Sequence, residues 1–414
     1  MDVLIKPRML SGTIRALSSK SDVHRALIAA ALAKGETKVH FTTLSDDISA
    51  SIGVLCKMGA KIDVGGKDGD YTATVHGTEQ MPCDAVLDAN ECGTTARIIL
   101  PIAAALCESF TLTGKNGLLK RPFKDLCECI AQNGTVCTDT FLPIKTSGKL
   151  KSGRYEIRGD VSSQYISGLL FALPLLDGDS EIHLTSPLVS AGYVDMTLAT
   201  LERFNINVEK THYGYFIKGS QTFLSVGDYV AEGDWSNATF WICGAAIGAD
   251  ITVLGLDKNS YQKDKNILEI IDAAKRGEGE LSAVSFNGED IPDALPALAT
   301  TLALAKGESV IPGGARLKIK ESDRIETTVA MLKNLGANIR GTADGFVING
   351  VDSFTGGVID AANDHRIAMC AAIASQRASG DVIIRGAECV NKSYPTFFED
   401  FEKLGGKYCV TDGQ

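Results

Sequence analysis

Apolar and polar positions follow one another along the chain in a block pattern that recurs six times. Each block opens on a polar, often cationic start and runs into an Ala/Leu-rich stretch. It then breaks at a small or acidic residue and resumes as a short β-branched strand. The blocks are Ser19 to Val39, Asn90 to Leu112, Ser162 to Leu184, Asp234 to Leu254, Asp290 to Ile311 and Asn363 to Ile384, with breaks near Gly35, Glu108, Gly178, Gly248, Gly307 and Gly380. A stretch apolar on every side predicts a buried helix. A second, amphipathic helix follows, with apolar residues four and three apart: Ile48, Ile52, Leu55; Val194, Leu198, Leu201; Ile325, Val329, Leu332; Phe397, Phe401, Leu404. Looser copies lie at Phe123 to Ile130 and Ile267 to Ala274. These helices end at Gly or Asn, as Gly59 and Gly336 do, and yield to a strand, which is C-terminal capping chemistry. Further strands are expected at Tyr71 to Val75, Leu142 to Lys145, Tyr215 to Lys218 and Phe346 to Asn349. Short ones at Val86-Leu87, Glu156-Ile157, Tyr229-Val230 and Val358-Ile359 lead into the next polar start. Each unit reads β-α-β-α-β-β.

A period of about 60 to 70 residues is too long for a solenoid repeat and suits a small supersecondary module. The sixth copy lacks its last strand, whereas the chain opens on an unpartnered Val3-Leu4-Ile5-Lys6, so the N-terminus is expected to complete the last repeat. The result is an α/β protein of two domains with three repeats each, residues 12–220 and residues 1–11 plus 221–414, joined by two crossings that permit hinge motion. The 414 residues, 44% of them hydrophobic, suffice for cores of this size. No apolar run approaches the ~20 residues of a membrane span. Met1 to Pro7 lacks the pattern of an export signal, so a cytoplasmic location is expected. A net charge of −10 argues against a broad nucleic-acid surface, and any anion must be held by a local cluster of cations. The eleven cysteines lie mostly in apolar segments and the six histidines are far apart in sequence, so neither a disulfide framework nor a metal site is expected.

The helix starts carry the chemistry. A helix N-terminus bears about half a positive charge and favours Asp, Glu, Ser and Thr over cations. Ser19-Lys20-Ser21-Asp22-Val23-His24-Arg25, Gly93-Thr94-Thr95-Ala96-Arg97 and Asn363-Asp364-His365-Arg366 set cations against that dipole. This arrangement is stable where an anion sits at the helix end. Lys120-Arg121-Pro122, Lys318-Ile319-Lys320-Glu321-Ser322-Asp323-Arg324 and Asn391-Lys392-Ser393 add loop cations, and Ser162-Ser163-Gln164 offers a neutral phosphate cradle. Asp293 and Glu321 stand among these cations, where acid and base groups are tuned.

In order along nearly the whole chain, these motifs, with Gly159-Asp160-Val161, Glu232-Gly233-Asp234-Trp235-Ser236, Ile291-Pro292-Asp293 and Lys392-Ser393-Tyr394-Pro395, resemble those of the EPSP synthase (3-phosphoshikimate 1-carboxyvinyltransferase) family. The resemblance implies a two-domain inside-out α/β barrel. It also implies transfer of the enolpyruvyl group of phosphoenolpyruvate to the 5-hydroxyl of shikimate 3-phosphate, in the shikimate pathway of aromatic amino acid biosynthesis, by addition and elimination. Neither cofactor nor metal is implied, the two substrates are the only partners, and a monomer is expected. By resemblance, Lys20, Ser21, Arg25, Ser162, Ser163, Gln164, Ser190, Asp293 and Lys320 bind shikimate 3-phosphate. Lys20, Gly93, Arg121, Gln164, Arg324, Arg366 and Lys392 bind phosphoenolpyruvate, whose pocket the herbicide glyphosate also occupies. Asp293 takes the hydroxyl proton and Glu321 protonates the methylene carbon, with Lys20 and His365 assisting. Arg316 departs from the family pattern, which often has a neutral polar group there. The related UDP-N-acetylglucosamine 1-carboxyvinyltransferase is the nearest alternative; it typically has Asn where Ser21 follows Lys20, and a cysteine in the loop that here reads Lys115-Asn116-Gly117-Leu118-Leu119-Lys120. An acidic DNA clamp is the alternative of another class, but it needs cations on exposed helix faces, and the first helices here are buried Ala/Leu stretches.

Overall fold

A computed structural model describes residues 1–277 and 280–411. The chain divides into two units, one spanning Lys20–Ala231 and the other combining Met1–Ser19 with the chain from Glu232 onward. The boundaries differ from 11/12 and 220/221 because strand pairing decides them. Ser11–Arg15 runs parallel to Asp250–Leu254, and Asp228–Val230 runs parallel to Glu36–Phe41.

In the unit Lys20–Ala231, three four-stranded sheets share one plan: a parallel pair, then two antiparallel strands. Their orders are Asp228–Val230, Glu36–Phe41, Asp70–His76, Lys61–Lys67; Ala85–Asp88, Phe110–Thr113, Ile144–Ser147, Val136–Cys137; and Arg154–Ile157, Ser180–Leu184, Gly214–Ile217, Val208–Thr211. The strand expected from Leu142 begins at Ile144, after Pro143, which has no N–H for the ladder. The other unit repeats the plan in Gly357–Asp360, Val382–Arg385, Asp2–Lys6, Lys407–Thr411. The N-terminal strand thus supplies the third position of the last repeat's sheet. Glu308–Ile311, Phe346–Asn349 and Asn338–Gly341 keep the antiparallel part, and Ser282 bridges in parallel to Lys306 at the open edge.

The first helices of the six blocks, Lys20–Leu32, Gly93–Leu106, Ser163–Ala172, Trp235–Ala246, Leu295–Leu302 and His365–Ala374, are almost wholly buried. Each unit has its own apolar core around three of them. Their all-round apolar character follows from that position, with neighbours on every side rather than water on one. Gly168 shows how close two of them come: a Cβ there would lie 2.8 Å from Pro101 Cγ and 3.0 Å from the carbonyl oxygens of Arg97 and Ile98. Among the described residues, no helix is long and apolar enough to cross a membrane.

Candidate active site

In the unit Lys20–Ala231 the polar helix starts are built as follows. Ahead of Gly93–Leu106, the Cys92 N–H donates to the Ala89 carbonyl at 2.9 Å, and Asn90 is left-handed at φ +51°. Cys92 caps the helix, its Sγ accepting from the Thr95 N–H at 3.4 Å. The Arg121 guanidinium lies over this start, since a Cβ on Gly93 would fall 2.8 Å from its Nη1. Gln164 joins two helices: its Oε1 accepts from Arg97 Nη1 at 2.9 Å and its Nε2 donates to Thr94 Oγ1 at 2.8 Å. Arg97 also sits against the rings of Phe123 and Tyr165. Ser162 caps Ser163–Ala172, and Ser163 is buried at its first position. Ser190, buried and left-handed at φ +52°, starts Ala191–Arg203.

Lys20 begins its helix against the dipole and is balanced by Asp47, whose Oδ2 lies 2.6 Å from its Nζ. Asp47 escaped the sequence reading because Ser45-Asp46-Asp47 has the form of an ordinary helix start, and Ser45 does cap Ile48. Arg25, expected as a substrate ligand, is buried one turn along its helix from Ser21. It is 1% exposed, and its donors go to Thr197 Oγ1 at 2.8 Å, the Ser21 carbonyl at 2.7 Å and the Tyr193 carbonyl at 2.9 Å. It braces the Lys20–Ser21 turn. Burial lowers its pKa to about 10, against the pull of Asp22, so it stays charged at neutral pH. His24 and Cys92, far apart in sequence, come together with Asp47, their ligand atoms all within 4.8 Å of one another. Burial, with Lys20 and Arg25, holds His24 neutral, and burial pushes the Cys92 thiol up to about 12.

The other unit gathers acids and bases around Asp293. Arg324 Nη1 lies 2.7 Å from Asp293 Oδ1, Lys320 Nζ 3.2 Å and Arg366 Nε 3.6 Å from the same oxygen, and Arg366 Nη1 donates to the Asp293 carbonyl at 2.9 Å. Arg324, expected as a phosphoenolpyruvate ligand, is 1% exposed and serves three carboxylates: Asp293, Glu321 at 2.5 Å, and Asp364 at 2.7 Å. It ties these three carboxylates together. Asp364 in turn caps His365–Ala374 through the Arg366 N–H. His365 is buried with Nδ1 3.9 Å from Asp364, and Lys392 donates to the Asn363 carbonyl at 2.8 Å. Arg316, the departure from the family pattern, donates to the Glu289 carbonyl at 2.6 Å.

Burial alone would raise the Asp293 pKa, but Lys320, Arg366 and Arg324 outweigh it and hold the carboxyl well below the usual range. Burial lowers the Lys320 pKa, with Asp293 opposing. Asp264, which no motif marked, is buried near this cluster and accepts from Ser236 Oγ at 2.7 Å. Burial and the charge of Asp293 push its carboxyl up to about 6.

Buried helices that start in clusters of Lys, Arg, Ser and carboxylate, on repeated sheet modules, define an α/β enzyme scaffold for small anionic substrates. A family model described as EPSP synthase (3-phosphoshikimate 1-carboxyvinyltransferase) matches residues 4–401. The chain is 39% identical over 422 residues to the 3-phosphoshikimate 1-carboxyvinyltransferase of Clostridium perfringens strain SM101, covering 98% of each protein, and 38% identical to that of Clostridium beijerinckii. The structure of the Acinetobacter baumannii EPSP synthase superposes with a TM-score of 0.80 at 26% identity, covering 99% of this chain and 100% of that one. The chain belongs to the EPSP synthase family.

Proposed function

We propose that this enzyme transfers the enolpyruvyl group of phosphoenolpyruvate to the 5-hydroxyl of shikimate 3-phosphate and releases phosphate. Membership of the family over nearly the whole chain supports this reading. The observation that carries it at the level of chemistry is Asp293, one carboxylate facing Arg324, Lys320 and Arg366 within 3.6 Å. That surplus of cations suits a ligand rich in negative charge, and two phosphates and two carboxylates arrive with the substrates.

Asp293 takes the proton of the 5-hydroxyl as its oxygen attacks C2 of the donor, while Glu321 protonates the methylene carbon to a methyl group. The tetrahedral intermediate then loses phosphate, and a proton leaves the methyl group to restore the double bond. With its cations turned inward Asp293 is a weak base. Bound anions draw Lys320 and Arg366 toward themselves, weaken that hold and raise its basicity. Lys20 and His365 assist the proton transfers. Ser21, Ser162, Ser163, Gln164, Ser190 and Lys320 bind shikimate 3-phosphate; Lys20, the Gly93 backbone, Arg121, Gln164, Arg366 and Lys392 bind the donor. Arg25 joins the first set and Arg324 the second, and each also holds its protein neighbours in place. The unit Lys20–Ala231 holds most of the first set, and the second set is divided, with Arg324, Arg366 and Lys392 in the other unit.

The same proposal includes an architecture of two inside-out α/β domains with three β-α-β-α-β-β repeats each, and a monomer working in the cytoplasm without nucleic acid. Ser21 after Lys20, and a loop from Lys115 to Lys120 without cysteine, disfavour UDP-N-acetylglucosamine as acceptor. Phosphate release from phosphoenolpyruvate, measured with each acceptor in turn, tests the reading. Release with shikimate 3-phosphate alone is expected, and release with the nucleotide sugar would overturn it.

A further inference from the structure

We infer that His24, Asp47 and Cys92 form a site for one thiophilic divalent cation of the zinc class, and that this ion switches the enzyme off by taking Asp47 from Lys20. The three ligand atoms lie within 4.8 Å of one another on three separate helix segments, so little of the chain must move to close on an ion. His24 Nε2 is 3.8 Å from Cys92 Sγ. Nitrogen and sulfur ligands on a tetrahedral zinc ion stand about 3.6 Å apart, given the usual bond lengths. The other ring nitrogen, Nδ1, is 2.7 Å from Ser51 Oγ, which is itself 2.6 Å from Thr95 Oγ1. That chain fixes the ring plane and leaves Nε2 toward the thiol, as the outer partner of a metal-bound histidine does.

The Thr95 N–H aims at Cys92 Sγ and stabilises the thiolate that remains once binding releases the thiol proton to solvent. Imidazole, thiolate and carboxylate together select zinc-like ions over magnesium or calcium, which prefer oxygen alone. The Lys20 and Asp47 side chains, 18% and 12% exposed, give solvent access to a site whose other two ligands are sealed. An ion there takes the Asp47 carboxylate from Lys20 and adds positive charge beside it, one residue from Gly93. Inhibition rests on the function proposed above, but binding does not.

The test is titration of the reduced, metal-free, full-length protein with Co²⁺. One equivalent should produce the visible bands of a tetrahedral site and a near-ultraviolet thiolate-to-cobalt band, both displaced by Zn²⁺. Cys92→Ser keeps a helix cap and should lose the thiolate band. His24→Asn removes a direct ligand and should weaken binding by more than the ~10 to 100-fold that loss of a ligand's outer hydrogen-bond partner costs. Replacing the exposed Cys56, Cys83 and Cys409 with Ser should change nothing. A thiolate band that persists in Cys92→Ser, disappears with the exposed cysteines, or never forms would overturn the site. Stoichiometric Zn²⁺ should also stop turnover in the wild type, reversibly with a chelator, but not in Cys92→Ser; bound metal without loss of turnover would overturn the switch.

Discussion

The guanidinium of Arg324 holds both Asp293 and Glu321, so the proposed base and acid share an anchor. Replacing either with its amide keeps the shape and a hydrogen-bond acceptor while removing the proton acceptor or donor. Asp293→Asn and Glu321→Gln should therefore fold and bind shikimate 3-phosphate yet lose ~10² to 10⁴-fold in kcat. Near wild-type turnover in either variant removes that residue from the pair. Gly93 is constrained differently. Its missing side chain makes room for Arg121, and a Cβ would meet Nη1 at 2.8 Å. Because that atom ends a flexible side chain, Gly93→Ala should fold with Arg121 displaced. The donor KM should rise, and the glyphosate Ki should rise more, since that inhibitor is slightly longer than the donor. Equal rises would mean that the methyl group disturbs only the turn. Asp264 gives a pH signature. A carboxyl with a folded-state pKa of about 6, above its unfolded value, contributes stability at low pH that is lost as pH rises through about 4 to 6. Asp264→Asn has no such titration, so its Tm should gain on the wild type between about pH 4 and pH 7. A constant difference across that range would show that the buried carboxyl titrates normally.

At the scale of elements, the buried helices set the positions of the reactive residues. Gln164 and Arg97 sit on the two helices that meet at Gly168, and they bond to each other at 2.9 Å. Gly168→Ala would press a methyl group against Pro101 and two backbone carbonyls, none of which ends a flexible side chain. Overpacking of this kind costs ~1 to 3 kcal/mol. Stability should fall by that amount, and the donor KM should rise as the Gln164–Arg97 contact shifts; unchanged stability and KM would mean that the helices separate without disturbing the site. The periodicity carried most of these elements. It located both helices of every block and the N-terminal strand between Val382–Arg385 and Lys407–Thr411, because burial on all sides or on one side leaves a distinct apolar spacing. Pro143 shifted one strand start, and the edges of the two units followed strand partners that spacing alone does not reveal.

Across the whole molecule, the candidate residues were legible as types at helix starts, but their partners were not. Arg25 and Arg324 were expected as substrate ligands and are buried, and a lone arginine in a motif does not disclose which carboxylates or carbonyls surround it. Asp264 and the trio His24, Asp47 and Cys92 were invisible for the same reason: each group is assembled from distant segments. Arg324 holds Glu321, the proposed acid that protonates the donor's methylene carbon. Running the reaction with phosphoenolpyruvate and shikimate 3-phosphate in D₂O, and measuring the mass of the acceptor product, tests that protonation most directly. Addition and elimination pass through a methyl group, so the product should carry an enolpyruvyl group with deuterium on its terminal carbon. A product with no deuterium, or no carboxyvinylated product at all, would contradict the account.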